Sequence, residues 1–445
     1  MVTRIEPGSP PEERCVCGAV HRVPIDEVVI DEHAFERLVA YAEDRRWSRP
    51  FVVMDANTEE VAGSRVVEEL SSANMRVTML CFPERSGLLA DEANVSHLEA
   101  ALKQGESDSI FAVGSGVITD LARYVANRMG RDFVSLPTAA SMDGYASSAA
   151  AMEFGGMKTT YPAVSPVAIF ADPRTIAGAP LDMTRAGVGD LLGKASARTD
   201  WLASHALYGE YLCPEVERRM TESFVEAATH VTDILGGSPE AVSGLLRGLV
   251  ESGIAIAMVG NSRPASGCEH QVSHFWDLLA ANHRRPHASH GLQVGYATHF
   301  AMDLKQYAFG GAIRQLIAPR PVTLDGEMDA WFAGHGAQVE AVMEERRRFL
   351  AEHASAWPKT ASDWESVQDQ VGQAMDVFPL VAEALSVAGI PPEPGFLGVD
   401  AAMLRASFRW ANRIRPRYTV LDFLEGQGRL DEAIEAVLPP LSTAS

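Results

Sequence analysis

The chain has 445 residues, 47% of them hydrophobic, which is too long for one compact core and sufficient for two domains. Its 38 Lys and Arg against 59 Asp and Glu give a formal charge of -21, and a net field of that sign argues against nucleic-acid partners. No stretch approaches about 18 continuous apolar residues and the polar start carries no apolar signal core, so a cytoplasmic protein without a membrane span is expected.

The five cysteines, Cys15, Cys17, Cys81, Cys213 and Cys268, are odd in number and scattered, as reduced thiols in a long chain are. Cys15-Val16-Cys17-Gly18 followed by His21 lacks the paired spacing of a zinc knuckle, so it is read as an ordinary strand-and-turn segment. Phe51-Val52-Val53-Met54 is a buried-strand pattern that ends at Asp55-Ala56-Asn57-Thr58, a turn and helix-start signal. Further strands are expected at 76–81, 110–113, 133–136 and 168–171. Short apolar runs separated by helical stretches predict a parallel sheet with crossovers.

From about residue 184 the β-branched runs become sparse. Stretches at 214–236, 238–259 and 336–354 carry apolar residues at three-and-four spacing and predict helices. Within the last, Met343 to Leu350 is so charged that it reads as a solvated helix face. Ile390-Pro391-Pro392-Glu393-Pro394 is a stiff break between helices. The expected architecture is an α/β Rossmann-like domain over 1–183 and an all-helical domain over 184–445, with a substrate cleft between them.

Two loops in the first half carry chemistry. Gly114-Ser115-Gly116-Val117-Ile118-Thr119-Asp120 follows a strand and opens a helix, where glycines admit close approach of a pyrophosphate to free backbone N–H groups. A ligand-free strand-to-helix turn has the same pattern. Pro137-Thr138-Ala139-Ala140-Ser141-Met142-Asp143-Gly144-Tyr145-Ala146-Ser147 also follows a strand, and its small and hydroxyl residues suit a backbone passing close to a dinucleotide. Asp143 reads equally as a capping carboxylate or as the acceptor for a substrate hydroxyl.

Metal-ligating residue types gather further on. Gly187-Val188-Gly189-Asp190 places a carboxylate at a helix start, followed by Lys194. His270 and His274, four apart, share a helix face, and His290-Gly291 opens another helix. One Asp and two His leave coordination positions for substrate oxygens, the layout of a catalytic site. Among 13 histidines, His283 and His287 compete with His290 for the third ligand position.

These motifs, in this order and with Arg413-Ile414-Arg415-Pro416-Arg417-Tyr418-Thr419 near the end, resemble the sn-glycerol-1-phosphate dehydrogenases. That family lies within the wider glycerol dehydrogenase, iron-containing alcohol dehydrogenase and dehydroquinate synthase superfamily. The resemblance implies a dehydroquinate synthase-like fold and a metal-dependent dehydrogenase that interconverts dihydroxyacetone phosphate and sn-glycerol 1-phosphate. It implies NAD or NADP as cofactor, with one divalent ion (zinc, nickel or iron), a small phosphorylated polyol as substrate, and a homo-oligomer, dimer or larger. By matching motif, Asp55, Gly116, Val117, Ile118, Thr119, Asp120, Thr138, Ala139, Ala140, Ser141 and Ser147 would bind the dinucleotide. Asp190, His270 and His290 would hold the metal; Asp143, Asp190 and His274 would meet substrate. Lys194 and Arg263 are candidates for the phosphate, with solvation or an ion pair as the alternative for each. Cys268 departs from the small residue usual at its place. Other readings are a dehydrogenase for a different polyol or polyol phosphate, a dehydroquinate synthase-like cyclase or lyase, and a non-catalytic metabolite-binding protein.

Overall fold

The computed structural model describes residues 3–4, 15–155, 157–282, 285, 287–319, 331–332 and 334–440. Its described strands are Thr3–Arg4 (β1), Glu27–Ile30 (β2), Pro50–Asp55 (β3), Thr78–Phe82 (β4), Ser109–Val113 (β5), Asp132–Leu136 (β6), Ala149–Phe154 (β7), Met157–Pro162 (β8) and Ala168–Ala171 (β9). Seven form one sheet in the order β1-β2-β9-β6-β5-β3-β4. Its neighbours run parallel except for the β1–β2 pair. All five strands expected from the apolar runs are present; β1, β2 and the β7–β8 hairpin are additional.

Strand periodicity explains why those runs are apolar throughout. Val52, Met54, Phe111, Val113, Val134 and Leu136 point to one face, where they pack on Phe35 and Leu38 of the Ala34–Asp44 helix and on Val66 and Leu70. Phe51, Val53, Ile110, Ala112 and Phe133 point to the other and pack on Leu98 of the Glu92–Gly105 helix and Leu121 and Val125 of the Gly116–Met129 helix. A sheet covered on both faces needs apolar residues at every position.

The covering helices also fix where a ligand can bind. The helical stretch after β3 packs on one face and the helix after β5 on the other. Adjacent parallel strands whose connections leave in opposite directions open a crevice at their carboxyl ends. Asp55 ends β3 and Gly114 follows β5, so both lie at this switch point.

By contacts the chain divides into two units: Met1–Leu191 with His230–Asn261, and Leu192–Thr229 with Ser262–Ser445. The division expected at 183/184 cut the chain by position alone, whereas the Pro239–Val259 helix, well beyond it, packs with the N-terminal unit. A Cβ on its Gly253 would lie 2.7 Å from the Cβ of Ala146, so glycine is what admits that approach. This helix is long and apolar enough to cross a membrane by length and composition, but 72% of its apolar window is buried inside the protein. That is the pattern of a core helix.

The second unit's described regular structure is helical. It includes Pro214–Thr229, Cys268–Ala281, His290–Phe309, Gly336–Glu352, Phe378–Val387 and Ala401–Trp410. The charged 343–350 segment is not solvated throughout. Met343 and Arg346 are buried, and Arg346 pairs with Asp422 and, at 3.0 Å, with Glu425. Sequence charge alone did not show that one arginine of the run turns inward to a buried and a half-buried carboxylate.

The Leu181–Tyr208 helix reaches the loop after β6 through Gly187, where an added Cβ would stand 1.9 Å from the carbonyl oxygen of Ala140. The oxygen belongs to backbone and the Cβ would be fixed to the helix, so neither yields cheaply. Gly187→Ala should therefore cost about 1–3 kcal/mol, read as a lowered urea midpoint with an unchanged slope. Full stability in the variant would show that the loop stands off the helix.

Candidate metal and dinucleotide site

The β5 turn is built by two glycines with different duties. A Cβ on Gly114 would meet the Cβ of Ile118 at 2.7 Å, so glycine there lets helix and strand close on each other. A Cβ on Gly116 would meet nothing within 4 Å, so the space above the first helical turn is open. Ser115, at the N-cap, makes no side-chain cap bond to the helix that Gly116, Val117, Ile118, Thr119 and Asp120 begin. Backbone donors at an uncapped N-terminus facing open space suit an anion. Across the crevice Asp55 Oδ1 caps its own turn, accepting from the N–H groups of Asn57 and Thr58 at 2.9 Å each.

In the loop after β6, Thr138, Ala139 and Ala140 are buried, and Tyr145 hydrogen-bonds the Ala139 carbonyl and meets the Ser141 hydroxyl at 3.4 Å. Arg123, fully buried, donates to the carbonyls of Gly144, Tyr145 and Ala149 and stands 3.7 Å from Asp120. Desolvation lowers its pKa; Asp120 and Asp143 oppose that. Asp120 thus steadies the arginine that shapes the second loop. Ser147 Oγ makes a local turn with Ala149, accepting its N–H at 3.0 Å.

Asp143 is bonded both through its backbone and through its carboxylate. Its backbone N–H donates to Asp190 Oδ2 at 2.9 Å, and its own Oδ2 accepts from Ser252 Oγ at 3.0 Å. Asp143 is not a helix-capping carboxylate: the short helical turn it precedes receives no side-chain cap bond.

Asp190, His270 and His290 offer ligand atoms that all lie within 4.8 Å of one another. Asp190 has no exposed surface, His270 is 5% exposed and His290 is half-buried. The rings of His270 and His290 are 5.2 Å apart; His274 lies 5.6 Å from His290 and 6.4 Å from His270. Gly193, one turn after Asp190 on the same helix, is pressed against Val294, one turn after His290. His270 Nδ1 bonds Glu269 Oε1 at 2.8 Å and His290 Nδ1 meets Ser273 Oγ at 3.3 Å. With each Nδ1 so engaged, Nε2 is the nitrogen either ring would offer to a cation. His287 is exposed, and His283 lies outside the described residues.

Behind His270 lies a buried chain that the sequence did not announce. Glu269 Oε2 accepts from Ser196 Oγ at 2.6 Å, and Lys305 Nζ donates to that hydroxyl at 2.7 Å. The same ammonium sits 3.1 Å from Asp200 Oδ2 and 3.1 Å from Cys268 Sγ. Burial opposes the lysine's charge, but the attraction of Asp200, and then of Glu269, raises its pKa above the ordinary value. Burial, then Asp200, raises the Cys268 thiol well above its usual range, so it stays protonated. Asp200, Cys268 and Glu269 form a metal-sized group of their own, and Lys305 is the cation already in it.

Of the candidate phosphate cations, Arg263 gives its donors to Glu210, the Tyr418 carbonyl and Ser204, which is the ion-pair alternative. Lys194 is fully buried one turn after Asp190. Arg415, in the arginine-rich segment near the C-terminus, is the cation whose field reaches His274. Desolvation first and Arg415 second push His274 down to about 3, against Asp277, whose carboxylate is 3.7 Å from Nδ1. Its place in an arginine-rich segment was the only available signal.

A family model described as iron-containing alcohol dehydrogenase matches residues 29–180. Glycerol-1-phosphate dehydrogenase (NAD(P)+) of Geobacillus stearothermophilus is 29% identical over 416 residues, covering 92% of this chain and 95% of that protein. The enzyme of the same name from Halalkalibacterium halodurans is 34% identical over 287 residues, 64% of this chain and 72% of its own. Among solved structures, a probable glycerol dehydrogenase from Sinorhizobium meliloti 1021 superposes with a TM-score of 0.59 at 16% identity, covering 92% of this chain and 96% of that one.

Removing the buried ammonium leaves Asp200 and Glu269 without their countercharge. Lys305→Met should destabilise the fold by about 3–5 kcal/mol in urea unfolding, and Lys305→Arg should not restore it, because a planar guanidinium does not fit an ammonium's place. A near-neutral Lys305→Met variant would show that the chain of bonds is dispensable.

Proposed function

The chain belongs to the glycerol-1-phosphate dehydrogenase family, and on that footing we propose that it interconverts dihydroxyacetone phosphate and sn-glycerol 1-phosphate by hydride transfer with NAD or NADP. The observation that carries the reading at the level of residues is the grouping of Asp190, His270 and His290 within 4.8 Å. One carboxylate and two imidazoles suit zinc, nickel or iron, and three protein ligands leave room for a substrate oxygen. A divalent ion held there supplies Lewis acidity to the oxygen that changes between hydroxyl and carbonyl. The nicotinamide cofactor supplies the hydride chemistry, and the open space over Gly116 fits its pyrophosphate.

The chain's own residues bind, orient and hold protons. Asp143 fixes the Asp190 carboxylate through its backbone N–H and turns its own carboxylate, steadied by Ser252, toward a substrate hydroxyl. Glu269 holds the His270 ring in one orientation, and Ser273 does the same for His290. His274 stays neutral, so it can donate one hydrogen bond or accept one, as the substrate hydroxyl requires. Arg415 is the cation we assign to the phosphate, since its charge already acts at His274. Asp55 accepts from the adenosine ribose at the end of β3, and the backbone over Thr138, Ala139, Ala140 and Ser141, with Ser147, lines the dinucleotide. None of the five cysteines is in a disulfide, which supports a reducing, cytoplasmic setting.

His270→Ala should abolish turnover and metal retention at the Asp190 group while leaving NAD(P)H binding, followed by cofactor fluorescence, within about twofold of wild type. Full activity in a metal-stripped variant would end the reading. Arg415→Met should raise KM for the phosphorylated substrate by about tenfold to a hundredfold, the loss of a charge-assisted hydrogen bond, with little change for unphosphorylated glycerol. Equal losses on both substrates would assign Arg415 to structure instead.

A further inference from the structure

We propose that Cys15, Cys17, His21 and Cys213 form a second metal centre, a closed structural zinc site distinct from the Asp190 group. Their ligand atoms, three thiol sulfurs and one imidazole nitrogen, all lie within 4.8 Å of one another. Cys15, Cys17 and His21 have no second pair near them in sequence. Cys213, which follows the Leu181–Tyr208 helix and has no exposed surface, supplies the fourth ligand from far along the chain.

The local backbone is shaped to present these atoms. Val16, between the two cysteines, is 83% exposed, while Cys15 and Cys17 on either side are half-buried. Gly18 takes φ +85°, closing a turn in which its N–H donates to the Cys15 carbonyl at 2.7 Å and Cys15 N–H donates to the Ala19 carbonyl at 2.9 Å. The Ala19 N–H points at Cys17 Sγ from 3.4 Å, a donor that favours sulfur as thiolate. His21 is 6% exposed, and its Nδ1 lies 2.7 Å from the Met258 carbonyl, which can only accept. The proton is therefore on Nδ1, and Nε2, 3.4 Å from Cys17 Sγ, presents its lone pair to the cluster. An imidazole oriented through one nitrogen by a backbone carbonyl is the usual support for a metal-bound histidine.

Donor chemistry selects the ion and the role. Three thiolates and one imidazole form a soft tetrahedral set that favours zinc and leaves no position for substrate. The Asp200, Cys268 and Glu269 group, by contrast, already holds the Lys305 ammonium and is not a second zinc site.

The test uses the full chain under reductant. Zinc-loaded, dialysed wild type should hold about two metal equivalents, and His270→Ala and Cys213→Ser about one each, since each variant loses a different centre. Cobalt-loaded wild type should show the near-ultraviolet thiolate-to-cobalt charge-transfer band, which an Asp-His-His site cannot give. That band should persist in His270→Ala and vanish in Cys213→Ser. Zinc should also slow the reaction of wild-type thiols with a thiol reagent, an arm that needs no variant to fold. Cobalt-loaded wild type without the band, together with thiols that react equally fast with and without zinc, would overturn the proposal. A protein that shows the band but holds no metal at Asp190 would support this centre while removing the basis of the proposed activity.

Discussion

A carboxylate with no access to water must be compensated by donors or by positive charge, and Asp190 imposes that requirement on everything around it. Its helix, Leu181–Tyr208, buries polar groups along much of its length: Lys194, Ser196, Asp200 and Ser204 are all almost or entirely inaccessible. A helix covered on all sides cannot leave such groups unbonded, so its neighbours are chosen by them. The Asp143 amide goes to Asp190; Lys305 and the amides of Cys268 and Val420 go to Asp200. The packing of the second unit follows from satisfying this one helix as much as from covering apolar surface.

The Lys305 chain shows what that satisfaction achieves. Buried ion pairs add little net stability over apolar packing of the same shape, because desolvation consumes most of the attraction. Their value here is geometric. Lys305 holds Ser196, Ser196 holds one oxygen of Glu269, and the other oxygen of Glu269 receives both the Gly267 amide, at 2.6 Å, and His270 Nδ1. The ring that would face a cation is thus set by groups well removed from it. Cys268 joins as a neutral thiol accepting from the ammonium, so the sulfur beside the metal motif is already engaged.

Much of the fold was legible because the parallel sheet writes itself as continuous apolar runs; 51–54 and 110–113 needed only a period and a terminating turn. The β7–β8 hairpin was missed because Ala149-Ala150-Ala151 has no β-branched residue, although Gly155-Gly156 is a hairpin-turn dipeptide. At the site, Asp190, His270 and His290 were legible as residue types at suggestive spacing. Lys305 was not, since a lysine near the end of the His290–Phe309 helix looks like any solvated one. Cys213 was equally silent, because a ligand with no neighbour of its kind leaves no local pattern. Partners brought together only by tertiary packing have no period in the sequence, and Arg415, Lys305 and Cys213 share that condition.

The glycines on either side of Asp190 show how a local pattern encodes a tertiary one. Gly187 and Gly193 lie three residues before and after the carboxylate, so all three share a helix face. At Gly187 a side chain would collide with the Ala140 carbonyl, in the loop that carries Asp143; at Gly193 it would collide with Val294, one turn from His290. Each glycine therefore removes the atom that would hold a neighbouring element away from the carboxylate. The loop can then place its Asp143 amide on Oδ2, and the histidine helix can bring its first turn alongside. With alanine at either position, the 2.9 Å bond from Asp143 or the approach of His290 would have to lengthen. The spacing glycine, two residues, aspartate, two residues, glycine is thus a packing requirement of the candidate metal site, and it is written in the chain before any ligand is considered.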